Sequence, residues 1–207
     1  MVRPDRGRIG GNLGREDHIE VDETWIGGTP RRRKSIDETL IIAAVEVLRR
    51  KPKRGATPAR LGTRYAGRLR MEVVQDSDAM SLCRFVEAAV QPGAVVVADE
   101  CAGYTTLSER GYQHRILVEG SEAQSPEEYL SMIHLVFLNL KSWLSGTHHG
   151  VSPKHLQAYL NEFAFRFNRR LAPFSAFRSL LGIGASGESP TYEDLYSGKW
   201  KHPRISE

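Results

Sequence analysis

Two aspartates, each closing an apolar strand-like run, are the residues of this 207-residue chain best suited to do chemistry. Asp22 sits in Ile19-Glu20-Val21-Asp22-Glu23-Thr24-Trp25, and Asp99 follows Ala94-Val95-Val96-Val97-Ala98. Taken singly, each also suits a turn or a helix cap. Brought side by side, two carboxylates repel unless metal or protons neutralise them, so the pairing would be costly without a purpose. Hard carboxylates on two strands, joined by a polar group from a later helix, make a divalent-metal site. Such a site stabilises both the attacking and the leaving oxygen of a phosphoryl transfer. That chemistry makes nucleic acid the first substrate to consider.

The third polar group should come from the helix expected at about residues 127–145. Helical residues seven apart lie within about 20° of one another. His134 and Lys141 therefore share a face, along with Ser131, Ser142 and Ser145, on an otherwise apolar helix. Asn139 points about 140° away from His134 by the same geometry. A histidine in a polar stripe, with a lysine two turns on, makes His134 the preferred third ligand, and Asn139 is the alternative. Glu162 on the next helix is a weaker carboxylate and reads as surface.

These side chains need elements to position them. On a strand at 19–26, Glu20, Asp22 and Thr24 share one face while Ile19, Val21 and Trp25 share the other. Gly27-Gly28-Thr29-Pro30 ends it. Residues 40–47 form a second strand, apolar enough to be buried on both faces, and 67–74 alternate as a third. Asp76 or Ser77 caps a helix running to about Val90. Residues 94–99 make the fourth strand, 104–110 a short helix and 114–118 a fifth strand. Helices at about 127–145, 152–169 and 173–181 follow. This order predicts an α/β fold: a ribonuclease-H-like mixed sheet flanked by helices, with a helical C-terminal part. Residues 1–18 read as an irregular Gly- and Arg-rich lead-in, 19–181 as the catalytic domain, and 182–207 as a loosely packed extension.

With 40% hydrophobic and 26% charged residues the chain is globular rather than disordered. The net charge of +4 is modest. Its distribution is more telling: Arg31, Arg32, Arg33 and Lys34 form one cluster. Arg49, Arg50, Lys51, Lys53 and Arg54 form another, extended by Arg60 and Arg64. Basic loops neutralise phosphates and release counterions, although a solvated loop needs no such purpose. Two cysteines, Cys83 and Cys101, are too few for a disulfide scaffold or a zinc ribbon. No signal peptide or membrane-length apolar run is present, so the expected location is cytoplasmic. Trp25 and Trp143 could stack on bases, but both sit in apolar runs where core packing is the stronger expectation.

Three blocks carry a family resemblance. Val21-Asp22-Glu23-Thr24-Trp25-Ile26-Gly27-Gly28 is the first, and the Asp99 strand followed by Gly103-Tyr104 is the second. The third is Asn139-Leu140-Lys141-Ser142-Trp143-Leu144-Ser145-Gly146-Thr147-His148-His149-Gly150 and its continuation to Leu156. Together with residues 159–170 they resemble bacterial insertion-sequence transposases of the ISXO type, over about residues 1 to 181. The resemblance implies a ribonuclease-H-like core of the DDE group using two divalent metal ions, Mg or Mn. Asp22 and Asp99 would be its first two acidic ligands. In that group the third member is Glu or Asn, with a Lys following in the same helix. Counting back seven from Lys141 gives His134, whereas matching the Asn-type motif gives Asn139.

The implied partners are double-stranded DNA, as element ends and as target, with a homo-oligomer assembling on it at the nucleoid. Lys141 would contact a phosphate near the cut, and a His-completed site would favour Mn over Mg. Two departures stand out: Glu100-Cys101 replaces the Gly-Trp common after the second aspartate, and the chain begins almost at the core. The expectation is therefore a chain lacking the upstream zinc ribbon and its end-recognition segment. Metal-dependent strand cleavage and transfer is the expected activity. Its rivals are a ribonuclease-H-like nuclease that hydrolyses without joining, and a catalytically degenerate DNA-binding remnant.

Overall fold

From Leu40 to Val45 no polar residue interrupts the chain, and such a strand must be covered on both faces. The computed structural model describes residues 7–11, 13–14, 17–27, 38–49, 64–98, 107–116 and 132–185. In it that run lies within β2 (Thr39–Arg49), inside a five-stranded sheet of order β3-β2-β1-β4-β5. β1 (His18–Ile26) pairs antiparallel with β2, and β2 antiparallel with β3 (Arg64–Val73). β4 (Val95–Ala98) lies parallel to β1, and β5 (Gln113–Ile116) parallel to β4. The fold is the α/β, ribonuclease-H-like mixed sheet with flanking helices that the element order predicts.

Alternation sorts the core into two layers. Ile19, Val21, Ile42, Ala44 and Val96 face α1 (Ala79–Ala89), meeting Leu82, Cys83, Phe85 and Val86. Ile41, Ala43, Val45, Leu69 and Met71 face the other way, against α2 (Met132–His148) and α3 (Pro153–Asn168). There they meet Ile133, Val136, Phe137, Leu140, Leu156 and Leu160. Among the described residues, no helix is long and apolar enough to cross a membrane.

The lead-in contributes to this core. Ile9 is fully buried, bridges to Val90, and donates its N–H to Ala89 O at 2.8 Å. Next to it Gly10 N–H donates to Glu46 Oε1 at 2.9 Å, while Glu46 Oε2 accepts from Arg68 N at 2.8 Å. The pairing of β2 with β3 shifts register at this point, between Val45 and Val47. Gly67 makes room for the Glu46 carboxyl, because a Cβ there would fall 2.5 Å from Oε2. The described β3 runs from Arg64, three residues before the expected Gly67.

Three other expectations are corrected. Asp78, not Asp76 or Ser77, caps α1, accepting from Ser81 N at 2.6 Å. The described part of the expected 104–110 helix is a turn, in which Arg110 and Tyr112 N–H groups both donate to Leu107 O. The last helix, α4 (Pro173–Ala185), runs through Gly182 rather than stopping at Leu181.

β3 is an edge strand whose outer backbone groups are met by side chains of α3 and the residues after it. Asn168 pairs with Leu69 at both groups, Oδ1 accepting from N at 2.7 Å and Nδ2 donating to O at 3.0 Å. Gln157 Oε1 accepts from Val73 N at 2.8 Å, and Arg170 donates to Ala66 O and Gly67 O. An edge occupied in this way cannot template another strand.

Candidate active site

β1 is apolar on one face and polar on the other, and α2 lies along the polar one. Three same-face residues of β1 each reach α2. Glu20 is buried, and its Oε2 accepts from Ile133 N at 2.9 Å. Asp22 Oδ2 lies 3.0 Å from His134 Nε2. Thr24 Oγ1 accepts from Lys141 Nζ at 2.8 Å. Both elements are traversed in the same sense, so the shared face of Glu20, Asp22 and Thr24 meets the shared face of His134 and Lys141.

Asp22 is the electrostatic centre of this arrangement. Its side chain is 23% exposed, against 57% for His134. Burial raises its pKa above the ordinary aspartate value; the Glu23 N–H, donating to Oδ1 at 2.8 Å, and the nearby His134 oppose that shift without cancelling it. Asp22 thus has one oxygen held by the backbone and the other directed at an imidazole on a solvent-accessible helix face.

A carboxylate oxygen and an imidazole nitrogen 3.0 Å apart fit a small cation's coordination shell. Adjacent ligands of an octahedral ion at about 2.1 Å are separated by about the same amount. Oxygen with imidazole suits Mn better than Mg. Among the described residues no three His, Cys, Asp or Glu side chains converge as a metal cage. Asp99 lies outside the described residues, as do Arg31, Arg32, Arg33, Lys34, Arg50, Lys51, Lys53 and Arg54.

The remaining sequence candidates are placed elsewhere. Asn139 is exposed on α2, away from the Asp22 contact. Glu162 pairs with Arg166 at 2.6 Å on α3, as a surface residue would. Arg49 stands opposite Arg64 where β2 runs beside the start of β1, about 20 Å along the strand from the Ala43 partner of Asp22. Its N–H donates to Asp17 Oδ1 at 2.8 Å.

Trp25 departs from the core packing expected of it and is 53% exposed. The described pairs of β1 with β4 involve only Ile19 and Glu20, and Trp25 lies well beyond them. Trp143 is half-buried in an aromatic group with His148, Tyr159 and Phe163. His148 stands edge-on between Trp143 and Tyr159, at 4.7 and 4.6 Å, which gives the 146–150 motif a packing role between α2 and α3.

Sequence reasoning assigns no role to Glu20 or His18. The signal for Glu20 is its place on the same strand face as Asp22. Its hydrogen bond to a backbone N–H of α2 has no counterpart in side-chain patterning.

A family model described as an ISXO2-like transposase domain matches residues 14–168, from just before β1 to the end of α3. No curated protein matches the chain.

Proposed function

The chain belongs to the ISXO2-like transposase family, and from that membership we propose a DNA transposase that cleaves and joins insertion-sequence strands at a divalent-metal site of Asp22, His134 and Asp99. The observation that carries this reading is the contact between Asp22 and His134, an acidic strand residue and the first polar residue of the helix laid over it. Asp99, outside the described residues, is assigned from the resemblance of its strand to the second acidic block of these transposases.

Bound Mg or Mn ions would supply Lewis-acid charge at the scissile phosphate. The chain's own residues do the rest. Asp22, raised in pKa by burial, gains from any cation brought to it. His134 adds a nitrogen donor on the open side. Lys141, resting on the Thr24 hydroxyl, is placed to exchange that neutral partner for a DNA phosphate. The basic clusters at 31–34 and 49–54 would track the backbone without reading sequence. A homo-oligomer on paired DNA ends is the proposed working form.

The test is joining of labelled DNA from the ends flanking the gene into a plasmid, with Mg or Mn, by wild type and Asp99→Asn. Metal-dependent joining that the variant loses is the expected result. Cleavage without joining would make the protein a nuclease. No reaction with either metal, with DNA binding retained, would make it a catalytic-core remnant.

A further inference from the structure

Among the described residues the only buried polar or charged residue is Glu20, 5% exposed. Burying a carboxyl group is costly unless its oxygens find partners. Oε2 accepts from Ile133 N at 2.9 Å, and Oε1 lies 3.5 Å from His18 Nε2. Ile133 is the second residue of α2. The first N–H groups of a helix have no acceptor within it, and a carboxyl group there also complements the helix dipole. The first turn of α2 contains no acidic residue of its own, so β1 provides one.

The consequence falls on the next residue. Ile133 immediately precedes His134, so holding the Ile133 N–H fixes both the rotation and the axial position of the turn that carries the imidazole. Rotation of α2 by one residue, about 100°, would carry His134 off Asp22. We infer that Glu20 is a positioning residue: its carboxyl group grips the first turn of α2 and thereby holds His134 Nε2 against Asp22 Oδ2. The grip itself is independent of the reaction; its importance to DNA chemistry rests on the proposed function.

Reach and charge can be separated by substitution. Glu20→Gln keeps the side-chain length and an acceptor. Glu20→Asp keeps the acid but is one methylene too short. In metal-free protein labelled with 15N-histidine, at one fixed pH, Asp22→Asn supplies the His134 imidazole signal of a broken pair. Glu20→Gln is expected to leave the His134 Nε2 signal at its wild-type position. Glu20→Asp should move it towards the Asp22→Asn position, while the signal of His155 on α3 stays unchanged. Mn affinity should fall in Glu20→Asp and persist in Glu20→Gln. If the shorter acid does not fold, Glu20→Asn is equally short, carries no buried charge, and is expected to give the same shift. Wild-type His134 signals in the short variants would overturn the inference. A His134 signal that Asp22→Asn itself leaves unmoved would overturn the Asp22–His134 pair, and the proposed site with it.

Discussion

His134 Nε2 lies 3.0 Å from Asp22 Oδ2, across 112 residues of chain. The contact is one of three rungs between β1 and α2, with Glu20 to Ile133 on one side and Thr24 to Lys141 on the other. Strand alternation sends Glu20, Asp22 and Thr24 to one face. The apolar side of α2, buried on β2 through Phe137 and Leu140, then turns the polar stripe of that helix towards β1. The site is a by-product of how an amphipathic helix seats on a half-polar strand.

Asp22 should weaken the fold it serves. Its folded pKa is raised above the unfolded value. Its contribution to stability is therefore fully present below about pH 3.9 and is lost as pH rises through the folded pKa. At neutral pH without divalent metal, Asp22→Asn should melt no lower than wild type. Mn at a hundred times its Kd should stabilise wild type by about 2.7 kcal/mol and the variant far less. Thermal melts with and without Mn, from pH 4 to 8, check both outcomes.

Among the described residues Lys141 donates to a neutral hydroxyl of β1. Lys141→Gln should weaken DNA binding evenly across sequences and reduce the salt slope by about 0.9, the value for one phosphate left unneutralised. Its stability should stay within about 0.5 kcal/mol of wild type. Binding titrations over a range of salt, with Thr24→Val as a control of unchanged slope, read this directly.

Asn168 acts as a one-residue strand on the open edge of β3. Asn168→Ala leaves the Leu69 N–H and C=O without these partners and should cost about 2 kcal/mol. It should also raise aggregation on partial unfolding, because the edge is then exposed. Denaturant titration, with light scattering near the midpoint, measures the two effects separately.

Trp25 is exposed, so Trp25→Ala should change stability by less than about 0.5 kcal/mol. Trp143→Ala removes an aromatic packed against His148, Tyr159 and Phe163 and should cost about 3 kcal/mol. Paired melts of the two variants distinguish a surface tryptophan from a packed one.

Local signals are the ones a sequence makes legible. Alternation in residues 19–26 and the seven-residue spacing of His134 and Lys141 are properties of single elements, and they place the polar faces correctly. The β1–α2 rungs require knowing which helix lands on which strand, and strand order carries that much. The Glu20 bond to Ile133 N–H is a side-chain-to-backbone contact with no residue pattern of its own. Trp25 stands outside the expected core although its neighbours along the chain are apolar. Asp78 displaces Asp76 and Ser77 as the cap of α1 because its own backbone is extended at the point where the helix begins.

The proposed site pairs Asp22 with His134 and leaves Asn139 outside it. The most direct measurement is Mn binding by electron paramagnetic resonance, run beside DNA joining, for wild type, His134→Ala and Asn139→Ala. Loss of both binding and joining in His134→Ala, with both retained in Asn139→Ala, is the expected result. An active, Mn-binding His134→Ala beside an inactive Asn139→Ala would contradict it.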